Sequence, residues 1–456
     1  MWRQFVAFLL IFSTDTVSQN TSFPRRTVTI GIIASEQVLP QVAWSVCGGA
    51  VGLALDKIRE EYNFVDFDFR FLVGYSECDL ARTLGLGIEY MSNQQADIVI
   101  GPPCPQGLIM AHLSNIYQSA WMGWGYVINP EFALADKYPF VTTLIAPAQT
   151  IGVCAVQLLA EFNWNIISII YTRNDGRFCD DIIKSLMDAI SDPNVFSPTI
   201  AIKQVVDVRN NDSYTKIMQQ IQARSRVVML CMDLAPDRRG FLIKAAEMGM
   251  ANDEYVFILL GMRSLGFGRS GDGKEVFSNG LAPLWEDADP ISADGMDNVA
   301  KLAAQYMIVL DLNSEGVNQT YMTYFKSNVL ARVRADPLFC KTSECLSNSN
   351  KSEGSFARHL HDTIYAYGLG LSREPRYYHN AGNITGAIRG DFTGLTGQVK
   401  ITANNTRVAE YMVYYLDATF KQQVFMKLTY QESYTEITRL SANGSESIWS
   451  TRTGQR

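Results

Sequence analysis

From Thr27 onward, two hydrophobic textures alternate along the chain. Residues 28–33, mostly apolar, read as a buried strand. Val51, Ala54, Leu55 and Ile58 then recur at i, i+3, i+4 and i+7, one face of a helix. The pattern predicts a strand at 67–73, a helix at 79–91 and a short buried strand at 97–101 that stops at Gly101-Pro102-Pro103. Residues 108–116 read as helix and 121–126 as a short strand. The alternation restarts near Pro147, where Ile151, Cys154, Ala155 and Leu158 line one face of a second long helix. Strands follow at 166–171, 200–206, 226–231 and 255–260, separated by helices at 180–190, 214–221 and 241–248. Two βαβ series in succession predict an α/β protein with two parallel sheets, each flanked by helices.

Past Gly261 the texture changes. Residues 264–280 are polar and Gly-rich, and read as a loop. Helical patterns are expected over 294–312, 320–334 and 356–371, with a polar loop at 338–354. Residues 399–402, 411–416 and 424–428 alternate like antiparallel strands. After Thr429 the composition is polar with no core pattern, and 430–456 is expected to be a frayed tail.

The N-terminus adds a compartment. Arg3, an apolar run over 5–12 and a small polar stretch over 13–20 have the layout of a secretory signal, taken as 1–19. Sequons at Asn20, Asn211, Asn318, Asn350, Asn383, Asn404 and Asn443 fit a glycosylated extracellular surface. About 430 residues remain after the signal, more than one ordinary core, so two lobes are expected. The net charge of −7 argues against nucleic acid or an anionic membrane as the main partner. No later apolar run reaches about 18 residues, the length of a membrane helix. Eight cysteines allow 105 complete pairings. None lies in a zinc-type pair and the four His are scattered, so no metal or cofactor is expected.

Catalytic chemistry is not expected of this stretch. Gly266-Phe-Gly268-Arg-Ser-Gly271 spells a dinucleotide fingerprint, but it lies in a polar loop rather than between a strand and a helix. His359 reads as a surface residue, and His361 as a structural partner of Asp362. The binding candidates come from strand ends, where ligands bind in open parallel sheets. In the first lobe they are Ser35, Glu36, Ser76, Glu77, Gly101 and Pro102; in the second, Thr172, Arg173, Asn174 and Asp233. A cystine between Cys78 and Cys104 would staple the same edge. Cys340 and Cys345 are placed to close a small loop. Cys47 and Cys154 fall on apolar helix faces, consistent either with two buried thiols or with a cystine between the lobes.

Several motifs carry a resemblance. They are Gly101-Pro102-Pro103-Cys104, Cys179 in Gly-Arg-Phe-Cys-Asp, Cys231 in Val-Val-Met-Leu-Cys-Met-Asp, and Asn163-Trp164 before a strand. His361-Asp362-Thr-Ile-Tyr-Ala-Tyr and Phe392-Thr-Gly394-Leu-Thr396-Gly397-Gln-Val, followed by Asn405 and Arg407, complete the set. In this order the chain resembles the ligand-binding ectodomain of receptor-type guanylate cyclases and natriuretic peptide receptors, above all the nematode cyclase receptors. That family has a type I periplasmic-binding-protein fold. The resemblance covers roughly residues 27–429. It implies disulfides Cys78–Cys104 and Cys179–Cys231. It also implies one lobe of about 27–144 plus 284–373 and another of about 146–282 plus 386–429.

The resemblance further implies an extracellular ligand, and a homodimer or heterodimer with related receptors through helices 51–61 and 79–91, whose exposed sides read as mixed in charge without a large apolar patch. Some natriuretic receptors hold chloride at positions matching Ser76, Pro103 and Cys104; proline lacks the N–H that one donor requires. Family receptors continue through a membrane helix to a cyclase making cyclic GMP from GTP, and no catalytic half is expected within this stretch. The alternative reading is a secreted decoy or carrier without a signalling domain.

Overall fold

The computed structural model describes residues 25–440, apart from 63, 65, 289–292 and 432–434. The expected signal at 1–19, the sequons at Asn20 and Asn443, and the tail from 441 lie outside the described residues. In the first lobe, β1 (Arg26–Ala34), β2 (Phe67–Tyr75), β3 (Ile98–Ile100), β4 (Ala120–Gly123) and β5 (Val141–Thr143) pair in the order β2-β1-β3-β4-β5. All four pairings are parallel. A parallel sheet is covered on both faces, and β1 shows why apolar residues occupy both sides of its strand. Val28, Ile30 and Ile32 enter the core that contains Val51 and Leu55 of the helix Gly49–Tyr62. Ile33 enters a separate cluster with Tyr90, Met110 and Trp121. Gly31 makes room for Tyr90, whose ring would lie 2.7 Å from an added Cβ.

In the second lobe, β6 (Ile166–Tyr171), β7 (Thr199–Val205), β8 (Val227–Cys231) and β9 (Val256–Leu260) begin a larger sheet. A short pair, β10 (Gly268–Arg269) with β11 (Ala282–Pro283), stands apart. The chain returns to the larger sheet with β12 (Met307–Leu312), leaves it for the hairpin β13 (Gly390–Gly394) and β14 (Gly397–Ile401), and ends in β15 (Glu410–Leu416), β16 (Gln422–Tyr430) and β17 (Thr435–Arg439). The order is β17-β16-β15-β12-β9-β8-β6-β7, parallel from β12 to β7 and antiparallel from β12 outward to β17.

Three expectations change, on the helix at 294–312, the lobe division and the tail. The helix expected over 294–312 is a helix only at Asp297–Ala304; Met307–Leu312 is a strand buried throughout. A continuous apolar run has no periodicity to separate a buried strand from a buried helix, and here the neighbouring strands β9 and β15 decide. Because β12 pairs with both, residues 307–312 belong to the second lobe, although the resemblance placed 284–373 in the first. The tail expected from 430 instead supplies the end of β16 and the edge strand β17.

Disulfides join Cys78–Cys104, Cys179–Cys231 and Cys340–Cys345. Cys47 and Cys154 are buried free thiols, not a cystine between the lobes. Burial pushes both thiols up in pKa, so neither is activated.

The chain passes between lobes after β5, after β12 and before β15. Buried polar side chains bind these crossings. Arg407 donates to the carbonyls of Asn313 at 3.3 Å, Thr396 at 3.0 Å and Gln398 at 3.0 Å. Its own N–H donates to Thr143 O, and Thr143 N–H donates to Asn405 O. Asp362 accepts the N–H groups of Leu395 and Thr396, the Thr396 hydroxyl, and His361 Nδ1–H. His361 Nε2 accepts from Tyr321 OH at 2.9 Å, so the neutral Nδ1–H tautomer satisfies both ring nitrogens. His359, expected at the surface, is buried against Phe356.

These groups set an acid sensitivity. Burial, then Arg358 and Arg407, holds His359 well below the usual imidazole value, and burial also lowers His361. Unfolded histidine binds a proton near pH 6.5; the folded chain keeps both neutral. Stability is therefore full above that value and falls as pH drops below it, by about 1.4 kcal/mol per pH unit for each histidine. Asp362 works lower down. Burial opposes its ionisation, but its hydrogen bonds hold the pKa to about 2, so its share is lost from about pH 4 downward. Urea unfolding at pH 7.5 and 5.5 is expected to show a lower midpoint in acid, with His359→Gln showing a smaller dependence. Equal dependence in both proteins would contradict this.

Candidate functional site

Most strand-end candidates turn out to build their own loops. Glu77 accepts hydrogen bonds from Ser35 Oγ at 3.2 Å and from the N–H groups of Glu36 and Gln37. Glu36 in turn accepts from the N–H and hydroxyl of Ser45, at 2.7 and 2.6 Å. Both carboxylates thus fix the turn after β1 and the start of the following helix. Ser76 is buried, and its N–H donates to Ala34 O. Gly101 has φ +84°, and an added Cβ would sit 2.4 Å from Ile33 O, so only glycine fits. Its carbonyl accepts the Trp121 indole N–H at 2.7 Å, and Pro102, which follows it, is buried. Arg173 is exposed and pairs with Asp180; Thr172 is buried and bonds Asp237.

Asn174 and Asp233 do come together, and they meet the other lobe. Tyr126, just past β4, donates its hydroxyl to Asp233 at 2.7 Å. Asn174 Nδ2 donates to the same carboxylate oxygen. The second oxygen of Asp233 lies 2.9 Å from Arg263 Nη1, with both side chains at most 4% exposed. The Arg263 guanidinium stands over the rings of Phe178 and Phe356, at 5.2 and 5.3 Å. Tyr126 packs on Phe356 with centroids 4.8 Å apart. These side chains fill the space where the lobes face one another.

The loop after β9 presents Arg263 because Asp311 on β12 accepts four consecutive N–H groups, from residues 263 to 266. Burial, then the neighbouring Arg263, lowers Arg238 to about 9. Burial and then Asp233 push the Tyr126 hydroxyl well above its usual value, so it stays a donor. The strand-end rule points equally to Arg263, which follows β9 as Asp233 follows β8. The sequence pattern marks Tyr126 only as the end of a strand and Phe356 only as the start of a helix.

A second feature is on the surface. Helix Leu80–Ile88 exposes Leu80, Leu84 and Ile88, at 58%, 37% and 37%, spaced every four residues. This apolar stripe replaces the charge-mixed face expected for that helix. The helix Gly107–Tyr117, packed beside it, exposes Ile116 and Tyr117 at its end.

A family model described as receptor family ligand binding region matches residues 46–419. The receptor-type guanylate cyclase gcy-4 of Caenorhabditis briggsae is 33% identical over 454 residues, covering 98% of this chain and 40% of that protein. Receptor-type guanylate cyclase gcy-1 of Caenorhabditis elegans is 33% identical over 465 residues, covering 98% of this chain and 41% of its own. The chain therefore spans about two fifths of the length of these curated relatives. Among solved structures, a solute-binding protein of an ABC transporter from Rhodopseudomonas palustris BisB5, in complex with 3,4-dihydroxybenzoic acid, superposes with a TM-score of 0.58 at 12% identity. The match covers 88% of this chain and 97% of that one. LivJ from Streptococcus pneumoniae, in complex with isoleucine, gives 0.54 at 12% identity, covering 91% and 100%. These likenesses establish the type I periplasmic-binding-protein fold and nothing finer.

Removing one member of a buried ion pair strands the other charge, at a cost of about 3–5 kcal/mol. Arg263→Ala is expected to lose stability in that range, while Arg173→Ala, at an exposed pair, is expected to lose under about 1 kcal/mol. Equal losses in chemical denaturation would contradict the assignment of Arg263.

Proposed function

Because this chain belongs to the family of receptor ligand-binding regions, alongside the nematode receptor-type guanylate cyclases, we propose that it is the extracellular sensor of such a receptor. Ligand binding shifts the lobes or the dimer, and the shift passes through a membrane segment to a cyclase domain that makes cyclic GMP from GTP. The observation that carries this reading is the 33% identity to receptor guanylate cyclases over 98% of the chain. Three disulfides support an oxidising, extracellular setting.

Tyr126 and Asp233 make the contact that opens or closes as the lobes move. The Leu80–Leu84–Ile88 stripe is the surface through which two copies pair. A two-fold interface uses each residue twice. Burying two Leu84 side chains contributes roughly 3 kcal/mol or more, about a hundredfold in dimer affinity.

Two measurements test the proposal. Sedimentation of the secreted chain is expected to show a dimer that Leu84→Glu dissociates; a monomer at high concentration contradicts the pairing surface. A chimera carrying this chain in place of the matching region of the gcy-1 receptor is expected to reach the cell surface and raise cyclic GMP. Leu84→Glu should lower that output several-fold at unchanged surface level. A surface-expressed chimera with no cyclase output contradicts the sensor role.

A further inference from the structure

A groove of about 410 Å³ lies on the hinge side of the first lobe, away from the contact between Tyr126 and Asp233. Three helices and the crossing hairpin form its walls. The helix Gly49–Tyr62 gives Lys57, Glu61 and Tyr62; Tyr321 and Tyr365 come from the helices Gln319–Arg332 and Ala357–Arg373; β13 closes the far side with Asp391. The rings of Tyr321 and Tyr365 flank the Lys57 amine, each with its centroid 4.7 Å away. Tyr62 is 39% exposed at the mouth.

Asn318 stands on the rim of this groove. It caps the helix Gln319–Arg332, its Oδ1 accepting from Tyr321 N–H at 3.0 Å. That bond directs the amide oxygen to the helix and leaves Nδ2 on the diverging arm of the same planar group. Asn318, Gln319 and Thr320 form a glycosylation sequon and are all exposed. The other described sequon asparagines, Asn211, Asn350, Asn383 and the half-buried Asn404, do not line this groove. Asn211 begins an exposed helix turn, Asn350 ends a short 3-10 turn and Asn383 faces solvent on the helix Ala381–Ile388.

We propose that Asn318 carries an N-linked glycan whose first sugars fold back into the tyrosine-lined groove and brace the hinge. The chemistry of the walls suits a carbohydrate. A pyranose ring presents polarised C–H faces, which the negative face of an aromatic ring attracts; Tyr62 at the mouth, 39% exposed, offers that face, while Tyr365 is buried beneath the Lys57 amine. Its edge hydroxyls donate to the carboxylates of Glu61 and Asp391 and accept from the Lys57 amine. In the attachment step, Asn318 Nδ2 bonds to the anomeric carbon of an oligosaccharide carried on a polyprenyl diphosphate. The bond from that carbon to the diphosphate oxygen breaks, the lipid diphosphate leaves, and Nδ2 gives up one proton; nothing is oxidised or reduced. Sugars seated in the groove touch the lobe helices and β13 together, so they restrain the crossing between lobes.

The inference rests on the receptor reading in one respect, that the chain enters the secretory pathway. Glycopeptide mass spectrometry of the secreted protein, before and after amidase treatment in native and denaturing buffer, tests it. Asn318 is expected to be occupied and to lose its glycan at least tenfold more slowly than Asn211 or Asn383 in native buffer, with equal loss after denaturation. Thr320→Ala, which removes the sequon and keeps the cap, should lower the melting midpoint by about 2–3 °C. Thr320→Ser and Ser213→Ala should leave it unchanged. An unmodified Asn318 beside an occupied Asn211 or Asn383 overturns the inference alone, and no sugar at any sequon overturns the secretory reading with it. An Asn318 glycan released as fast as the others overturns the seating in the groove.

Discussion

The structure depends on the guanidinium of Arg407. Where a chain crosses between two sheets, its backbone leaves both hydrogen-bond ladders, and each buried N–H and C=O there needs another partner. Arg407 is buried and supplies donors to carbonyls of two crossing segments, at Asn313 and at Thr396 and Gln398. Asp362 supplies the acceptors for the same hairpin from the helix side. Burial lowers the Arg407 pKa from its usual high value, with Asp362 and Asp311 pulling it back up. A join made of such directional bonds has far fewer arrangements than an apolar one. The crossing segments are therefore held to one another at the hinge.

With the hinge held in this way, freedom lies on the opposite side, where the lobes touch. Tyr126 reaches from the first lobe to a carboxylate that is already paired with Arg263 and bonded to Asn174. Asp233 and Arg263 lie on one lobe, so they stay together when the lobes part. Opening then leaves the Asp233–Arg263 pair intact; it breaks the charge-assisted hydrogen bond from Tyr126, some aromatic packing and further contacts between the lobes, among them Glu353 with Gly271 N–H and Lys326 with Asp272. A hydrogen bond to a charged group contributes about 1.5–3 kcal/mol, within reach of a ligand's differential affinity for two states. A contact of that size suits a sensor better than a buried pair shared between the lobes would.

Much of this was legible in the residues. The central strands β3, β6, β8 and β9 followed from short apolar runs, because inner parallel strands are buried on both faces. Cys78 with Cys104 marked a real staple, and His361 with Asp362 a real structural pair. What escaped depended on long-range partners. Met307–Leu312 became a strand because β9 and β15 flank it, 47 or more residues away in sequence. His359 looked like a surface residue until its whole helix proved to be wrapped by the hinge. Glu36 and Glu77 lie at the predicted strand ends but bind neighbouring backbone, and their residue types carry no sign of that choice. The apolar stripe at Leu80, Leu84 and Ile88 has regular helical spacing, yet only the packed structure tells which face of that helix is left uncovered.

The most direct test is a distance distribution between the lobes. Cys47 and Cys154 are buried, so spin labels at Glu60→Cys in the first lobe and Lys184→Cys in the second report alone. Pulsed electron–electron resonance would compare this protein with its Tyr126→Phe variant. The account predicts one narrow distance when Tyr126 is intact, and a broader distribution extending to longer distances when its hydroxyl is gone. Superimposable distributions would mean that Tyr126 and Asp233 do not govern lobe closure.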